Sequence, residues 1–168
     1  METSRTYRLG LDVGGVIIEG RSSEGNNVFF GPNYLETPAV EGAFEGIADL
    51  YQSTYYFSVC LISKAGFDIQ RRTLNWMDSH NFWARTRLSR TDLYFCAERV
   101  EKARICQELG VERFVDDRLE VLTYLATVRH RFLFNPSPDE IARFPGAIAS
   151  VTRVSGWKDL MTALRGDQ

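Results

Sequence analysis

The chain has 168 residues, 44% of them hydrophobic and 25% charged, which predicts one soluble globular domain with a full hydrophobic core. Its net charge of -2 at pH 7 argues against nucleic acid or a membrane surface as the main partner. The apolar runs are too short to cross a bilayer, and we expect no signal peptide. Three cysteines without metal-site spacing predict reduced thiols and a cytoplasmic location: Cys60, Cys96 and Cys106.

The first half of the chain alternates between strand-like and helix-like segments. An apolar run predicts a buried strand over Tyr7–Val13, and a stretch rich in Gly, Ser and Asn predicts a loop over Gly20–Asn27. Apolar residues at helical spacing predict a helix over Pro38–Tyr51. A nearly continuous apolar run predicts a central parallel strand over Tyr55–Ile62, followed by a helix over Phe67–His80.

The second half continues the same alternation. A short predicted strand over Asp92–Cys96 precedes a helix over Arg99–Leu109, with Gly110 as its C-cap. The remaining predicted elements are a strand, a helix, a strand, a turn, a strand and a helix: Arg113–Val115, Arg118–Thr127, Arg131–Phe134, Asn135–Pro138, Ser150–Val154 and Trp157–Leu164. This order predicts a doubly wound, three-layer α/β/α sandwich with a mostly parallel central sheet, formed by residues 1–168 as one domain.

Polar residues follow the apolar runs at the strand ends, where doubly wound sheets bind their ligands. Asp12 follows the first strand, Ser63–Lys64 lies at the end of the second, and Asp116–Asp117 follows a later one. We expect Lys102, at the start of the preceding helix, to reach the same edge of the sheet. Carboxylates, a hydroxyl and a lysine at one edge suit phosphoryl transfer assisted by a divalent cation with oxygen ligands.

Four motifs in this order carry a resemblance to a known family: LGLDVGGVI, LIS, the lysine of ERVEKARICQELG, and FVDDR. On these motifs the chain resembles the haloacid dehalogenase superfamily, whose members are mostly phosphatases. The resemblance implies that Asp12 is the nucleophile and a metal ligand, and that Lys102 stabilises charge on the nucleophile and the phosphate. It also implies Mg²⁺ as the cofactor, with Asp117 as a direct ligand and Asp116 in support.

The same resemblance implies the contacts to the substrate phosphate and one further metal ligand. Ser63 would hydrogen-bond a phosphoryl oxygen, and Lys64 and Gly15 would also lie at the phosphate. The backbone carbonyl of Gly14 would bind the metal. The expected partner is therefore a phosphorylated substrate, either a small molecule or a bulky phosphoester.

The opening stretch LGLDVGGVIIEG also resembles the first phosphate loop of actin-like sugar kinases, which bind ATP. Those kinases usually have Thr or Ser where this chain has Val16, and they need two domains with roughly twice this length. The sequence contains no second Gly-rich loop of the kind that binds adenosine. We therefore favour the phosphatase interpretation.

Gly14 stands where phosphatases of the superfamily usually have a second aspartate, which protonates the leaving oxygen and then activates water. Such general acid–base help is typically worth about 10²–10⁴-fold in rate. The nucleophile, the metal ligands and the positioning residues remain, so the leading hypothesis is a Mg²⁺-dependent phosphomonoester hydrolase with an aspartyl phosphate at Asp12. The alternative is a non-catalytic phosphate-binding or regulatory protein that kept the pocket.

Four residues are candidates to replace the missing acid. Glu19, Arg21 and Glu24 lie in the flap, which we predict at about residues 14–37, and His80 ends a helix. A solvated surface position is the favoured interpretation for each of them.

The spacing of the motifs predicts a protein without a separate cap domain. An open site suits a bulky phosphoester, unless a second subunit closes the site in a homo-oligomer. The segment Gln70–Arg90 has five arginines and three large aromatic residues, so it is either a polyanion-binding surface or a solvated helix face whose Trp and Phe enter the core. We favour the helix face.

Overall fold

Six strands and seven α-helices form the part of the chain that the structure, a computed structural model, describes: residues 7–20, 28–52 and 57–166. The strands are Tyr7–Leu11 (β1), Phe57–Lys64 (β2), Leu93–Cys96 (β3), Arg113–Asp116 (β4), His130–Phe134 (β5) and Thr152–Val154 (β6). The helices are Ala43–Gln52 (α1), Phe67–Ser79 (α2), Phe82–Thr86 (α3), Glu101–Leu109 (α4), Leu119–Tyr124 (α5), Pro138–Arg143 (α6) and Trp157–Gly166 (α7).

All six strands run parallel in one sheet with the order β3-β2-β1-β4-β5-β6. The chain passes from β1 through β2 to β3 on one side, and then returns to β4 on the other side of β1. The doubly wound α/β architecture predicted from the sequence is therefore confirmed. The reversal between β1 and β4 opens a crevice at the carboxyl ends of the strands, which is where such sheets bind ligands.

Helices cover both faces of the sheet, and each face has its own apolar core. Leu9 and Leu11 of β1 belong to a core that includes residues of α1, α2 and α7. Cys60 and Ile62 of β2 belong to a second core with residues of α4 and α5. Strands of this kind are buried on both faces, so their sequences are nearly continuous apolar runs. These runs are the signal by which the sequence predicts them.

Two helix ends show where local backbone chemistry decides the element boundary. Helix α1 begins at Ala43 rather than at the predicted Pro38, because Gly42 has a φ of +78° that a helix cannot contain. Helix α4 ends at Leu109 and is followed by Gly110, whose φ of +64° makes it the left-handed C-cap that the sequence predicts.

Two short helices were not predicted from the sequence. Helix α3 has five residues, which is too few for a periodic pattern. Helix α6 begins with Pro138 in its first turn, and Ser137 caps it by accepting a hydrogen bond from the Glu140 N–H at 3.2 Å. The sequence pattern instead predicts that Pro138 is the last residue of a turn, and this prediction is wrong at Pro138.

The predicted flap contains two short 3₁₀ turns in its described part, Val28–Phe30 and Tyr34–Glu36. Two flap residues singled out above, Arg21 and Glu24, lie outside the described residues, as do most of the predicted loop and the first two residues of the predicted strand that begins at Tyr55. None of the helices within the described ranges combines the length and the apolar character that crossing a membrane requires.

Candidate active site

Asp12 is the first residue after β1, and its backbone N–H extends the sheet by donating to the Val115 carbonyl at 2.9 Å. The chain then turns back on itself, because the Ile18 N–H donates to the Val13 carbonyl at 3.0 Å. The Asp12 side chain is 12% exposed. Its carboxylate therefore lies at the bottom of the crevice, with a narrow opening toward solvent.

Lys102 is the second residue of α4, and its side chain is 2% exposed. Its Nζ donates to Asp12 Oδ1 and to Asp116 Oδ2, each at 2.8 Å. Burial alone would lower the pKa of this ammonium, but the two carboxylates outweigh burial and raise the pKa, so Lys102 stays charged. Burial and the charge of Asp12 raise the pKa of the Asp116 carboxyl, against the opposing effect of Lys102.

A cluster of three carboxylates forms the candidate metal site. Asp12, Asp116 and Asp117 each place a carboxylate oxygen within 4.8 Å of the others. Lys102 neutralises only one of these three charges, so two negative charges remain unbalanced when all four groups are ionised. Hard oxygen ligands with excess negative charge are what Mg²⁺ prefers, and the residues present therefore fit that ion.

Gly15 allows Asp117 to approach this cluster. Gly15 has a φ of +80°, and a Cβ built on it would lie 2.5 Å from Asp117 Oδ2. Any side chain at this position would therefore displace the Asp117 carboxylate. The Gly15 N–H donates to the Ile18 carbonyl at 2.8 Å, so this amide closes the turn after Asp12.

The predicted phosphate-binding residues at the end of β2 also reach the crevice. Ser63 is 7% exposed and pairs with Phe95 of β3, near the end of the strand β2 that neighbours β1. Lys64 is exposed on the rim, and its ammonium has no ion-pair partner among the residues that the structure describes. A buried hydroxyl and an exposed ammonium on one edge can hold the equatorial oxygens of a phosphate.

The crevice has a volume of about 260 Å³ and contains every predicted site residue. Its walls differ in character. Phe29, Phe30 and Ile69 form an apolar side, and Arg99 and Arg118 add positive charge on another side. Both arginines also face acids: Arg99 pairs with a carboxylate oxygen of Glu120 at 2.9 Å, and the Arg118 guanidinium lies 4.0 Å from Glu140.

No protein-family model matches this sequence, and no curated protein matches it. Solved structures do match it. A protein from Burkholderia xenovorans LB400, described as a haloacid dehalogenase-like hydrolase, superimposes with a TM-score of 0.64 at 11% identity, covering 94% of this chain and 95% of that chain. The D,D-heptose 1,7-bisphosphate phosphatase from Burkholderia thailandensis gives a TM-score of 0.59 at 15% identity, with 94% and 97% covered.

A hydrolase of the same family from Deinococcus radiodurans R1, solved with bound phosphate and sodium, gives a TM-score of 0.59 at 14% identity, with 96% of each chain covered. The chain has a haloacid dehalogenase-like fold. This fold agrees with the resemblance found in the four sequence motifs. The likeness at such low identity concerns the fold, and the roles of Asp12, Ser63 and Lys102 in this haloacid dehalogenase-like chain are still predictions.

The structure separates the four candidates for the missing acid. Glu19 lines the crevice and is half-buried, so its position is not the fully solvated one that the sequence analysis favoured. His80 lies outside the crevice lining, stacked on Trp76 with ring centroids 4.0 Å apart and with Nδ1 2.9 Å from the Trp76 carbonyl oxygen. Nothing can be said of Arg21 and Glu24, which lie outside the described residues.

The segment Gln70–Arg90 follows the helix-face interpretation. Trp76 and Phe82 are completely buried in the core. Three of the five arginines pair with acids of this chain: Arg71 with Asp68, Arg85 with Glu45, and Arg90 with Asp78. The Arg72 guanidinium donates to backbone carbonyls instead.

The apolar wall of the crevice was missed by sequence reasoning. Phe29 and Phe30 belong to a stretch without helical or strand periodicity, so no pattern indicated that they line the crevice. The one available signal was the adjacent aromatic pair itself, in a segment otherwise rich in Gly, Ser and Asn.

Proposed function

We propose that this protein is a Mg²⁺-dependent phosphomonoester hydrolase that acts through an aspartyl phosphate at Asp12. The observation that carries the proposal is the buried Lys102, which bridges Asp12 and Asp116 beside Asp117 at the ligand-binding edge of the sheet. Two structures with the same fold support it, since one is a bisphosphate phosphatase and another was solved with bound phosphate.

The chemistry assigns a separate task to each group. Lys102 holds Asp12 Oδ1, which orients the carboxylate and leaves its second oxygen to attack phosphorus. The bond from phosphorus to the ester oxygen then breaks, and water later attacks the phosphorus of the aspartyl phosphate. Mg²⁺, held by Asp12, Asp117 and the Gly14 carbonyl with Asp116 in support, would neutralise the charge of the phosphate.

The substrate phosphate is held at the end of β2 in this proposal. The Ser63 hydroxyl binds a phosphoryl oxygen, and the Lys64 ammonium, exposed at the rim, adds charge to the same group. Gly15 contributes by its small size, which lets Asp117 approach the cluster.

The broader predictions on architecture and setting are part of the same proposal. Between Lys102 and Asp117 the chain contains only the rest of α4 and then β4, which supports a protein without a cap domain. The substrate is a phosphorylated small molecule or a bulky phosphoester, and a second subunit closing the crevice stays an alternative. The three free, buried cysteines support a cytoplasmic location.

A second candidate function is a phosphate-binding protein without turnover. Gly14 favours it, because the usual acid is missing from that position. The intact Asp12–Lys102 pair favours the enzyme, since a binding protein has no evident need for a free nucleophile.

One experiment separates the two functions. Purified protein with Mg²⁺ is assayed for phosphate release on a phosphomonoester panel that includes acyl phosphates and sugar 1-phosphates, with Asp12→Asn as the control. We expect release that requires Mg²⁺ and falls by at least about 10³-fold in Asp12→Asn, because the nucleophile is lost. Phosphate or Mg²⁺ binding without any release would establish the binding protein instead.

A further inference from the structure

The crevice contains one acid that the proposed metal site does not use. Four carboxylate residues line the crevice among the described residues: Asp12, Glu19, Asp116 and Asp117. Three of them form the metal cluster and contact or neighbour Lys102. Glu19 is the remaining one.

The backbone on both sides of Glu19 is attached to the loop that carries Asp12. On one side, Ile18 forms a parallel bridge with Gly14 and accepts the Gly15 N–H at 2.8 Å. On the other side, Gly20 lies so close that a Cβ built on it would be 3.3 Å from Gly15 Cα. Glu19 is thus held between two contacts with the residues that follow the nucleophile.

A further hydrogen bond fixes the orientation of this short segment. The Glu19 N–H donates to the Pro38 carbonyl at 3.0 Å, and Ile18 pairs antiparallel with Ala39. The Ile18 side chain is 2% exposed and belongs to the apolar core. Glu19 is more exposed than Ile18, and it is among the residues that line the crevice.

The environment of Glu19 favours a carboxyl group that carries a proton. Burial raises the pKa of Glu19, and no cation among the described residues offsets this effect. Beside it, a Cβ built on Gly14 would meet no described atom within 4 Å. The space that the usual aspartate would fill is therefore open to the leaving group and to another proton donor.

We propose that Glu19 is the catalytic acid and base of this protein, in place of the aspartate that is absent at position 14. This inference rests on the proposed phosphomonoester hydrolysis.

In the first step an Asp12 oxygen bonds to phosphorus, and the bond from phosphorus to the ester oxygen breaks. The Glu19 proton goes to that oxygen, which leaves as the alcohol. In the second step the Glu19 carboxylate takes a proton from water as the water oxygen bonds to phosphorus. The bond from phosphorus to Asp12 breaks, which releases inorganic phosphate and restores both side chains.

The test compares Glu19→Gln with wild-type protein on two panel substrates that the wild type hydrolyses. These are the phosphomonoesters with the most and the least acidic leaving alcohols, such as p-nitrophenyl phosphate and benzyl phosphate. The measured quantity is kcat/KM, which reports steps up to transfer of the phosphoryl group. A matched control is Glu41→Gln, which removes an exposed acid that does not line the crevice.

We expect Glu19→Gln to lower kcat/KM by about 10²-fold or more for the ester with the least acidic alcohol. The ester with the most acidic alcohol needs little protonation, so its kcat/KM falls less than about 10-fold. Loss of the base also slows the second step, so this variant releases the acidic alcohol in a burst before steady turnover. Adding Gly14→Asp to Glu19→Gln restores turnover of the less reactive ester.

Equal losses on both esters would show that Glu19 is structural, and unchanged rates would show that another group supplies the proton. Either result overturns the role of Glu19 while leaving the hydrolase proposal intact. A wild-type protein that hydrolyses only substrates with acidic leaving groups would also overturn the proposed role of Glu19. Failure of the hydrolase proposal itself has a different signature, because the wild type then releases no phosphate from any substrate.

Discussion

Lys102 shows how a single residue can connect folding to chemistry. Removing an ammonium from water is costly, and a lysine this deeply buried persists only because two carboxylates accept hydrogen bonds from its ammonium at 2.8 Å. Losing either partner would leave a buried, incompletely paired charge. The same contact orients Asp12 Oδ1, so the geometry that makes the burial of Lys102 tolerable also positions the carboxylate that we propose as the nucleophile.

The two adjacent glycines after Asp12 differ in what they do. Gly14 is exposed to the crevice and faces open space, so a side chain would fit there. Gly15 has a positive φ and faces Asp117, so a side chain would not fit. The GG pair in the sequence therefore combines a position that tolerates an acid with one that excludes any side chain.

Gly15→Ala tests this distinction. We expect it to lower the free energy of unfolding by about 1–3 kcal/mol, because alanine is strained at φ +80°. We also expect weaker Mg²⁺ binding, because the new Cβ displaces the Asp117 carboxylate. Urea denaturation measures the first effect, and calorimetric titration with Mg²⁺ measures the second.

Gly110→Ala is the matched control, because Gly110 has a φ of +64° but no described atom within 4 Å of a built Cβ. It should cost a similar strain energy and leave Mg²⁺ affinity unchanged. Equal Mg²⁺ affinity for Gly15→Ala and wild type would contradict the proposed role of the close approach to Asp117.

At the scale of elements, helix α2 anchors the segment that forms the apolar wall of the crevice. The Arg72 guanidinium donates to the carbonyls of Phe29 and Gly31, at 3.2 and 2.8 Å. It also lies 5.1 Å from the centre of the Tyr34 ring. The Trp76 indole donates to the Thr37 carbonyl at 2.8 Å. The position of Phe29 and Phe30 thus depends on contacts with α2.

Arg72→Lys tests this anchoring. Lysine keeps the charge but cannot reproduce the planar, forked geometry of the guanidinium. We expect a loss of about 1–2 kcal/mol in the free energy of unfolding. We also expect a rise in KM larger than the fall in kcat, since Phe29 and Phe30 form a wall of the crevice and do not join the reacting groups. Urea denaturation and steady-state kinetics on the best panel substrate measure the two effects.

The neighbouring Arg71 provides the control for this variant. Its side chain is 65% exposed and pairs only weakly with Asp68 at 3.4 Å, so Arg71→Lys should change stability by less than about 0.5 kcal/mol. If both lysine variants behaved alike, the hydrogen bonds of the Arg72 guanidinium would not be what anchors this segment.

The elements that sequence reasoning predicted best are those buried on both faces. The strand that contains Cys60 and Ile62 could be identified because nearly all of its residues from Phe57 to Ile62 are apolar and buried. Helix α3 could not be identified, because it is only five residues long. It is also flanked by Asn81 and Arg87 in left-handed conformations, which no local sequence pattern indicates. Short helices depend on tertiary packing, which the sequence does not display.

At the scale of the whole molecule, topology explains why the meeting of the proposed site residues at one edge was easier to predict than the crevice walls. Asp12, Ser63 and Asp116 follow or end strands that neighbour one another in the sheet, so strand order alone brings them together. The crevice walls come from loops, whose course depends on side-chain contacts across long stretches of chain. Glu19 belongs to this second class, and its place in the lining of the same crevice as Asp12 became visible only with the turn from Val13 to Ile18.

The loop that follows Asp12 also depends on the last helix of the fold. The Trp157 indole of α7 donates to the Val16 carbonyl at 2.7 Å, across 141 residues of sequence. Its ring packs near Phe134 of β5, with centroids 6.2 Å apart. The geometry at Asp12 is therefore a property of the complete sandwich, and we expect local loosening of this loop to be coupled to unfolding of the sheet.

The three cysteines report on this global unfolding. All are buried on the face of the sheet that carries α4 and α5, and burial raises the pKa of Cys106 to about 12 and the pKa of Cys60 and Cys96 as well. At pH 8 an unfolded thiol is partly thiolate, whereas these thiols stay protonated and inaccessible while the fold is intact.

We expect a thiol reagent at pH 8 to label the native protein at least about 10³-fold more slowly than the urea-unfolded protein. Labelling of all three thiols should also proceed at one common rate, because each becomes reactive only when the sheet opens. Rapid labelling of one thiol in the native protein would instead show that its helix detaches on its own, and the Asp12 loop would then be less firmly tied to the whole molecule than its contacts indicate.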